Sequence, residues 1–95
     1  MIHMSVDVHC HWSENAPTYR IYINNDMLTE RTFRWPGYQN YIKEHLICKL
    51  PTGLHTLKIE NCSGNGSFSL KDFVIEGTSI TRAPGDPENQ YTFKI

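Results

Sequence analysis

Residues 50–77 read LPTGLHTLKIENCSGNGSFSLKDFVIEG, and this stretch decides the fold class of the chain. Apolar residues alternate with polar ones on both sides of a glycine-containing loop, which predicts two β-strands joined by that loop. A Pro-Thr-Gly turn precedes the first strand, and a glycine follows the second. The alternation changes phase between Leu70 and Phe73, which predicts a β-bulge near Lys71 and Asp72.

The rest of the chain has the same short-strand character, and no window has a convincing helical period. Asn24, Asn25 and Asp26 are predicted to form a hairpin turn, because Asn and Asp tolerate positive φ better than most residues. About seven short strands in one small chain predict a single all-β domain, an antiparallel β-sandwich of jelly-roll type. The predicted strands cover residues 4–12, 19–23, 27–35, 41–50, 54–61, 68–77 and 91–95, the third of them at a surface or edge, and residues 81–90 form a loop.

Composition argues against several classes of protein. Nine Lys and Arg against ten Asp and Glu give a net charge of −1, whereas a nucleic-acid binder would have a basic stripe. No apolar run approaches the roughly 20 residues that span a bilayer, and the first residues lack a signal-peptide layout. We therefore expect no nucleic-acid partner, no membrane association and no secretion by a signal peptide. Cys10, Cys48 and Cys62 are an odd number at wide spacing, which indicates half-buried thiols rather than disulfides.

The first strand carries the sharpest candidate for metal chemistry. Asp7, His9 and His11 alternate with apolar residues, so their side chains project from the same side of the strand. Two imidazoles and a carboxylate are workable ligands for zinc. The alternative is a solvated strand face that happens to be rich in histidine.

Calcium is a second metal hypothesis. The turn at residues 24–26 and the loop that contains Asn61 and Asn65 offer hard oxygen donors. Calcium takes six to eight oxygens, usually with several carboxylates, and the loop from residue 61 to 67 has none. A bound zinc or calcium ion therefore stays open, and no other cofactor is expected.

Three aromatic residues, Trp35, Tyr38 and Tyr41, cluster around a Pro-Gly break between two predicted strands. Exposed rings stack on the apolar faces of sugars and anchor protein interfaces, because they offer large contact area at low entropy cost. The alternative is that these rings cap one end of the sandwich core. We predict that this segment binds a carbohydrate or a protein surface.

Signals for catalysis are weak. No Ser or Cys lies in a nucleophile-elbow motif, and ten acidic residues are expected on the surface of a domain of this size. The sequence therefore predicts a protein that is not an enzyme. The enzymatic alternative is a small metal-dependent hydrolase or cupin-like protein that uses His9 and His11.

The pattern from Leu50 onward resembles carbohydrate-binding-module-like jelly rolls. It has the form Leu-x-x-Gly-x-His-x-Leu-x-Ile, then a loop, then Phe-x-Leu-x-x-Phe-x-Ile-x-Gly. Residues 16–25, APTYRIYINN, are similar to the strand and turn that precede it in calcium-dependent xylan-binding modules. Those modules have acidic calcium ligands where this chain has Asn61, Cys62 and Ser63, so the resemblance implies the fold and not that calcium and sugar site.

The whole chain also resembles small proteins of large tailed phages of marine cyanobacteria. The similar segments are IYINNDMLTERTFRW at residues 21–35, Tyr-Ile-x-Glu from Tyr41 and Gly-x-His-Thr from Gly53. This resemblance implies a virion-associated or phage accessory protein made in the cytoplasm of the bacterial host. The leading hypothesis is a phage-type binding module, and the rival is a virion structural protein that forms homo-oligomers without a small ligand.

Overall fold

The computed structural model describes residues 1–11, 16–34, 41–63 and 66–95. Within these ranges, no helix is long and apolar enough to cross a membrane. The described secondary structure consists of strands and turns, and the strands are β1 (Ile2–His11), β2 (Thr18–Ile23), β3 (Asp26–Thr32), β4 (Tyr41–Cys48), β5 (Leu54–Ser63), β6 (Ser67–Ile75), β7 (Thr78–Ser79) and β8 (Gln90–Lys94).

The strands form two four-stranded sheets that pack face to face. Sheet A has the order β4-β1-β6-β7, and sheet B has the order β3-β2-β5-β8. Every pair of neighbouring strands is antiparallel. Only the β2–β3 and β6–β7 connections stay within one sheet, so the other connections between the described strands cross the sandwich. The predicted antiparallel β-sandwich is confirmed.

The core lies between the sheets and follows the predicted alternation. Its inward rows are Met4, Val6 and Val8 on β1, Tyr19, Ile21 and Ile23 on β2, and His55, Leu57 and Ile59 on β5, all buried. Aromatic rings interlock across the two sheets: the ring of Phe73 on β6 lies 5.1 Å from the ring of Tyr91 and 5.1 Å from that of Phe93 on β8. Contacts between rings at such distances and inclined angles add to the burial of their apolar area.

The predicted β-bulge is confirmed. Ser5 pairs with Val74 and Asp7 pairs with Lys71, so one residue of β1 faces two residues of β6. Asp72 has φ 52°, in the left-handed region that suits a bulged residue. The bulge turns both Leu70 and Phe73 towards the core, which explains the change of phase in the sequence.

The structure also corrects the sequence prediction in two places. A short strand, β7, lies where no strand was predicted, because two residues after the turn at Glu76 and Gly77 pair back onto β6. β8 begins at Gln90, so the loop predicted at residues 81–90 is one residue shorter.

The predicted edge position of the third strand is confirmed, since β3 is an outer strand of sheet B.

Two arginines fasten the two sheets to each other. Arg31 on β3 donates two hydrogen bonds to the carboxylate of Glu44 on β4, at 2.9 and 3.0 Å, and the Tyr19 hydroxyl donates a third at 2.6 Å. Arg82, before β8, donates to the carbonyls of Leu70, Glu88 and Gln90. The Arg82 guanidinium also lies 4.3 Å from the centre of the Tyr91 ring.

Candidate functional site

The outer surface of sheet A brings together four of the residues that the sequence singled out: Asp7, His9, His11 and Tyr41. Because β-strand side chains alternate, the residues between the buried positions of β4, β1 and β6 point to this surface. We call it the sheet A face. It consists of Tyr41, Lys43, His45 and Ile47 on β4, His3, Ser5, Asp7, His9 and His11 on β1, and Ser69, Lys71 and Val74 on β6.

Tyr41 and His9 form a stacked pair of rings on the sheet A face. They are directly opposite each other in the β1–β4 register. Their ring centres are 5.3 Å apart, and the ring planes are inclined by 24°. The structure thus brings a residue of the predicted aromatic segment and a residue of the predicted histidine cluster into one feature. Sequence reasoning treated them as separate sites, because only strand pairing makes them neighbours.

His9 is held in an environment that favours its neutral form. Partial burial lowers the pKa of His9, and the positive charge of Lys71 lowers it further, while Asp7 and Asp72 oppose both effects. A neutral imidazole stacks on the tyrosine without the cost of a buried charge.

Asp7 lies at the centre of the face and is only 6% exposed. It pairs in register with Lys43 on one side and with Lys71 on the other. The Lys43 ammonium donates to the Asp7 carboxylate at 2.8 Å, and this hydrogen bond raises the pKa of Lys43. The carboxylate therefore has a cationic partner, whereas the sequence analysis offered Asp7 as a metal ligand or, in the alternative, as part of a solvated strand face.

The predicted zinc ligands share this face, as the sequence analysis expected, but they are engaged differently. Asp7 is bonded to Lys43, His9 is stacked on Tyr41, and His11 is exposed at the end of β1. Within the described part of the chain, no three His, Cys, Asp or Glu side chains are placed to hold one metal ion. The zinc site stays a prediction that elemental analysis of the purified protein would test.

The asparagines proposed as calcium ligands have structural partners. Asn24, at φ 57°, accepts a hydrogen bond from the backbone N–H of Thr56 and donates to Nδ1 of His55. Nε2 of His55 donates to the carbonyl of Pro51 at 2.7 Å. Asn61 accepts from the backbone N–H of Ser63 and donates to the carbonyl of Gly66. These amides shape turns, and Asn65 lies outside the described residues.

Two of the three predicted ligand-binding aromatics, Trp35 and Tyr38, lie outside the described residues. The third, Tyr41, is the first residue of β4 and is half-buried. The last residue of the predicted aromatic segment is therefore also the first residue of β4.

An open groove of about 240 Å³ lies at the other end of the sheet A face. Its walls include His3 and Ser5 on β1, His45 on β4, and Glu76 and Gly77 in the turn after β6. Glu76 is fixed there, because its carboxylate accepts the backbone N–H of His3 at 2.9 Å. The pairing of Ser5 with His45 puts His3 and His45 on a diagonal across two neighbouring strands. No motif in the sequence indicated this groove, because His45 is distant from His3 along the chain.

The outer surface of sheet B differs in character. Arg20 forms a hydrogen-bonded ion pair with Glu30 at 2.7 Å, and both side chains are nearly half-exposed. Tyr22 is hydrogen-bonded to the Arg20 side chain. The sheet A face has both the stacked rings and the groove.

The cysteines match the predicted reduced state, and the expected burial is correct for two of them. Cys10 and Cys48 are half-buried free thiols, and burial raises the pKa of both, that of Cys10 to about 11. Cys62 is exposed, because it lies on the outward side of β5 with Lys58 and Glu60.

Comparisons with protein-family models, with curated proteins and with solved structures give no match to this chain.

Proposed function

We propose that this protein is a non-catalytic binding module that takes a glycan on the sheet A face. The observation that carries the proposal is the stacked pair of His9 and Tyr41 beside the Asp7–Lys43 ion pair on an open sheet surface. Ring edges offer apolar contact to the C–H groups of a sugar, while a carboxylate and an ammonium are partners for neighbouring hydroxyls.

The rigidity of the face favours binding without large rearrangement. All of these side chains are on paired strands, and β1 at the centre is hydrogen-bonded on both sides. A pre-organised surface loses less conformational entropy when a ligand settles on it. The resemblance to phage proteins supports a setting in which such a module contacts glycans of a bacterial surface.

An array of neutral and acidic polysaccharides, probed at pH 7.5 and pH 5.5, tests the proposal. Tyr41→Ala and His9→Ala are expected to weaken binding about two- to twelve-fold each, because a ring contact contributes about 0.5–1.5 kcal/mol. Trp35→Ala and Tyr38→Ala extend the test to the rest of the predicted aromatic segment.

Tyr22→Ala is the matched control, since it removes a half-buried tyrosine from the outer surface of sheet B. Equal losses from Tyr22→Ala and Tyr41→Ala would overturn the assignment to the sheet A face. If the wild-type protein binds no glycan at either pH, the proposal fails, and a symmetric oligomer in light scattering would then favour the assembly alternative.

A further inference from the structure

We infer that the groove between His3 and His45 is an anion site when its two histidines are protonated, so that the ligand of the sheet A face is an acidic glycan. This inference rests on the proposed function and names its ligand class. The shared chemistry is an anionic substituent, either a carboxylate or a sulfate, on a sugar that lies in the groove.

The size of the groove fits one unit of a longer ligand. Its volume of about 240 Å³ is below the roughly 300–1,000 Å³ that encloses a drug-sized molecule. A single substituted sugar ring matches such a space. The remaining sugar units of the glycan would extend along β1 towards the His9–Tyr41 pair, because the groove and the ring pair lie on one continuous sheet surface.

The charge of the groove changes sign when its histidines gain protons. The titratable groups in its walls are His3, His45 and Glu76. With both imidazoles neutral, the carboxylate leaves the groove with one negative charge, which repels an anion. With both protonated, the sum is one positive charge. Histidine is the side chain that ordinarily changes charge between pH 5 and 8, so a comparison of pH 7.5 with pH 5.5 tests for this inversion.

The other charged groups of the face do not override this change. Lys43 and Lys71 contribute two positive charges, and Asp7 on the face and Asp72 in the adjoining bulge contribute two negative ones. Asp72 is close enough to influence both His9 and Lys43. These four groups cancel one another, so the groove itself decides whether an anion is attracted. The stacked and partly buried His9 favours its neutral form and adds little to the change.

The geometry supplies donors as well as charge. Ser5 lies between the two histidines in the wall of the groove, and its hydroxyl can donate to an anionic oxygen. Glu76 already accepts the N–H of His3, which keeps its carboxylate at the groove wall when a ligand enters.

Titration calorimetry with alginate, dextran sulfate and neutral dextran tests the inference at pH 7.5 and pH 5.5. Alginate carries carboxylates and dextran sulfate carries sulfates, so the two arms distinguish the sources of the anion. At least one of them is expected to bind about ten-fold more tightly at pH 5.5, since two added charges act over a few ångströms in a solvated groove. Neutral dextran should change little with pH.

Variants separate the groove from general electrostatics. His3→Ala with His45→Ala should remove the pH dependence and leave the His9–Tyr41 contact in place. Glu76→Gln keeps an oxygen that can accept the His3 N–H but removes the negative charge, so it should strengthen binding of the acidic glycan at pH 7.5. His11→Ala is the control, because it removes an exposed histidine of the same face outside the groove.

The outcomes distinguish this inference from the proposed function. If each glycan, neutral or acidic, binds with the same affinity at both pH values, the anion site is overturned and the proposed glycan-binding face is not. A pH dependence that survives in the His3→Ala/His45→Ala variant also overturns the anion site. If no glycan binds under any condition, the proposed function fails together with the inference.

Discussion

The ion pair between Arg31 and Glu44 is predicted to be a major contributor to stability. Glu44 is 4% exposed, and its carboxylate takes two of its three hydrogen bonds from the Arg31 guanidinium. The hydrogen bonding to Glu44, followed by the negative charge of its carboxylate, raises the pKa of Arg31. Arg31→Ala would leave a buried carboxylate with the Tyr19 hydroxyl alone.

The expected cost follows from the burial of the two partners. Removing one partner of a buried ion pair costs about 3–5 kcal/mol, because the remaining charge stays desolvated. The Arg31 side chain is 51% exposed, so water can enter where it was and the expected loss falls to about 2–3 kcal/mol. For a domain of this size, that loss lowers the melting temperature by about 10–20 °C.

Urea unfolding followed by circular dichroism measures this loss, with Arg20→Ala as the matched control. Arg20 is also an arginine of sheet B that donates to a glutamate, but its partner Glu30 is nearly half-exposed. Exposed pairs of this kind contribute little to stability, so Arg20→Ala should change the free energy of unfolding only slightly. Arg31→Lys should lie between wild type and Arg31→Ala, because an ammonium keeps the charge but loses the two-pronged contact. Equal losses from Arg31→Ala and Arg20→Ala would refute the reasoning that burial of Glu44 decides the cost.

Two further predictions concern the bulge and the thiols. Asp72→Val should lower the free energy of unfolding by about 1–2 kcal/mol, because a β-branched residue is strained at positive φ, whereas Asp72→Gly should match or exceed the wild type. Lys71→Val, at the neighbouring exposed strand position, is the control, and a loss there as large as that of Asp72→Val in chemical denaturation would contradict the bulge argument. At pH 8, iodoacetamide should modify the exposed Cys62 faster than Cys10, because with a pKa of about 11 the thiol of Cys10 is ionised in only about one molecule in a thousand. The rate at Cys10 should rise about ten-fold per pH unit towards pH 11, and peptide mass spectrometry showing equal rates at pH 8 would disprove the protected position of Cys10.

Much of the fold was predictable, because strand signals are local. The alternation on β1, β2 and β5 identified the buried rows, and the phase change on β6 located the bulge within one or two residues. Glu44 is the instructive failure. It shares the inward side of β4 with Leu46, yet a charged residue gives no sequence signal of burial. Its position depends on an arginine and a tyrosine from the opposite sheet.

The candidate site was predictable in its members and not in its arrangement. The sequence placed Asp7, His9 and His11 on one side of a strand, which the structure confirms. It did not predict that Lys43 would pair with Asp7 or that Tyr41 would stack on His9. The groove between His3 and His45 was not predicted at all, since two single histidines on distant strands form no motif.

The sequence by itself determined seven of the eight described strands and the buried side of β1, β2 and β5, because the two-residue period is a property of the extended backbone. Within residues 50–77, the alternation predicted both strands and the bulge in the second of them. Only the tertiary structure decided which strands are neighbours and in what register. Those choices follow from the packing of two sheets and from pairing between residues distant along the chain. The composition of the sheet A face depends on them, and so does the function proposed for it.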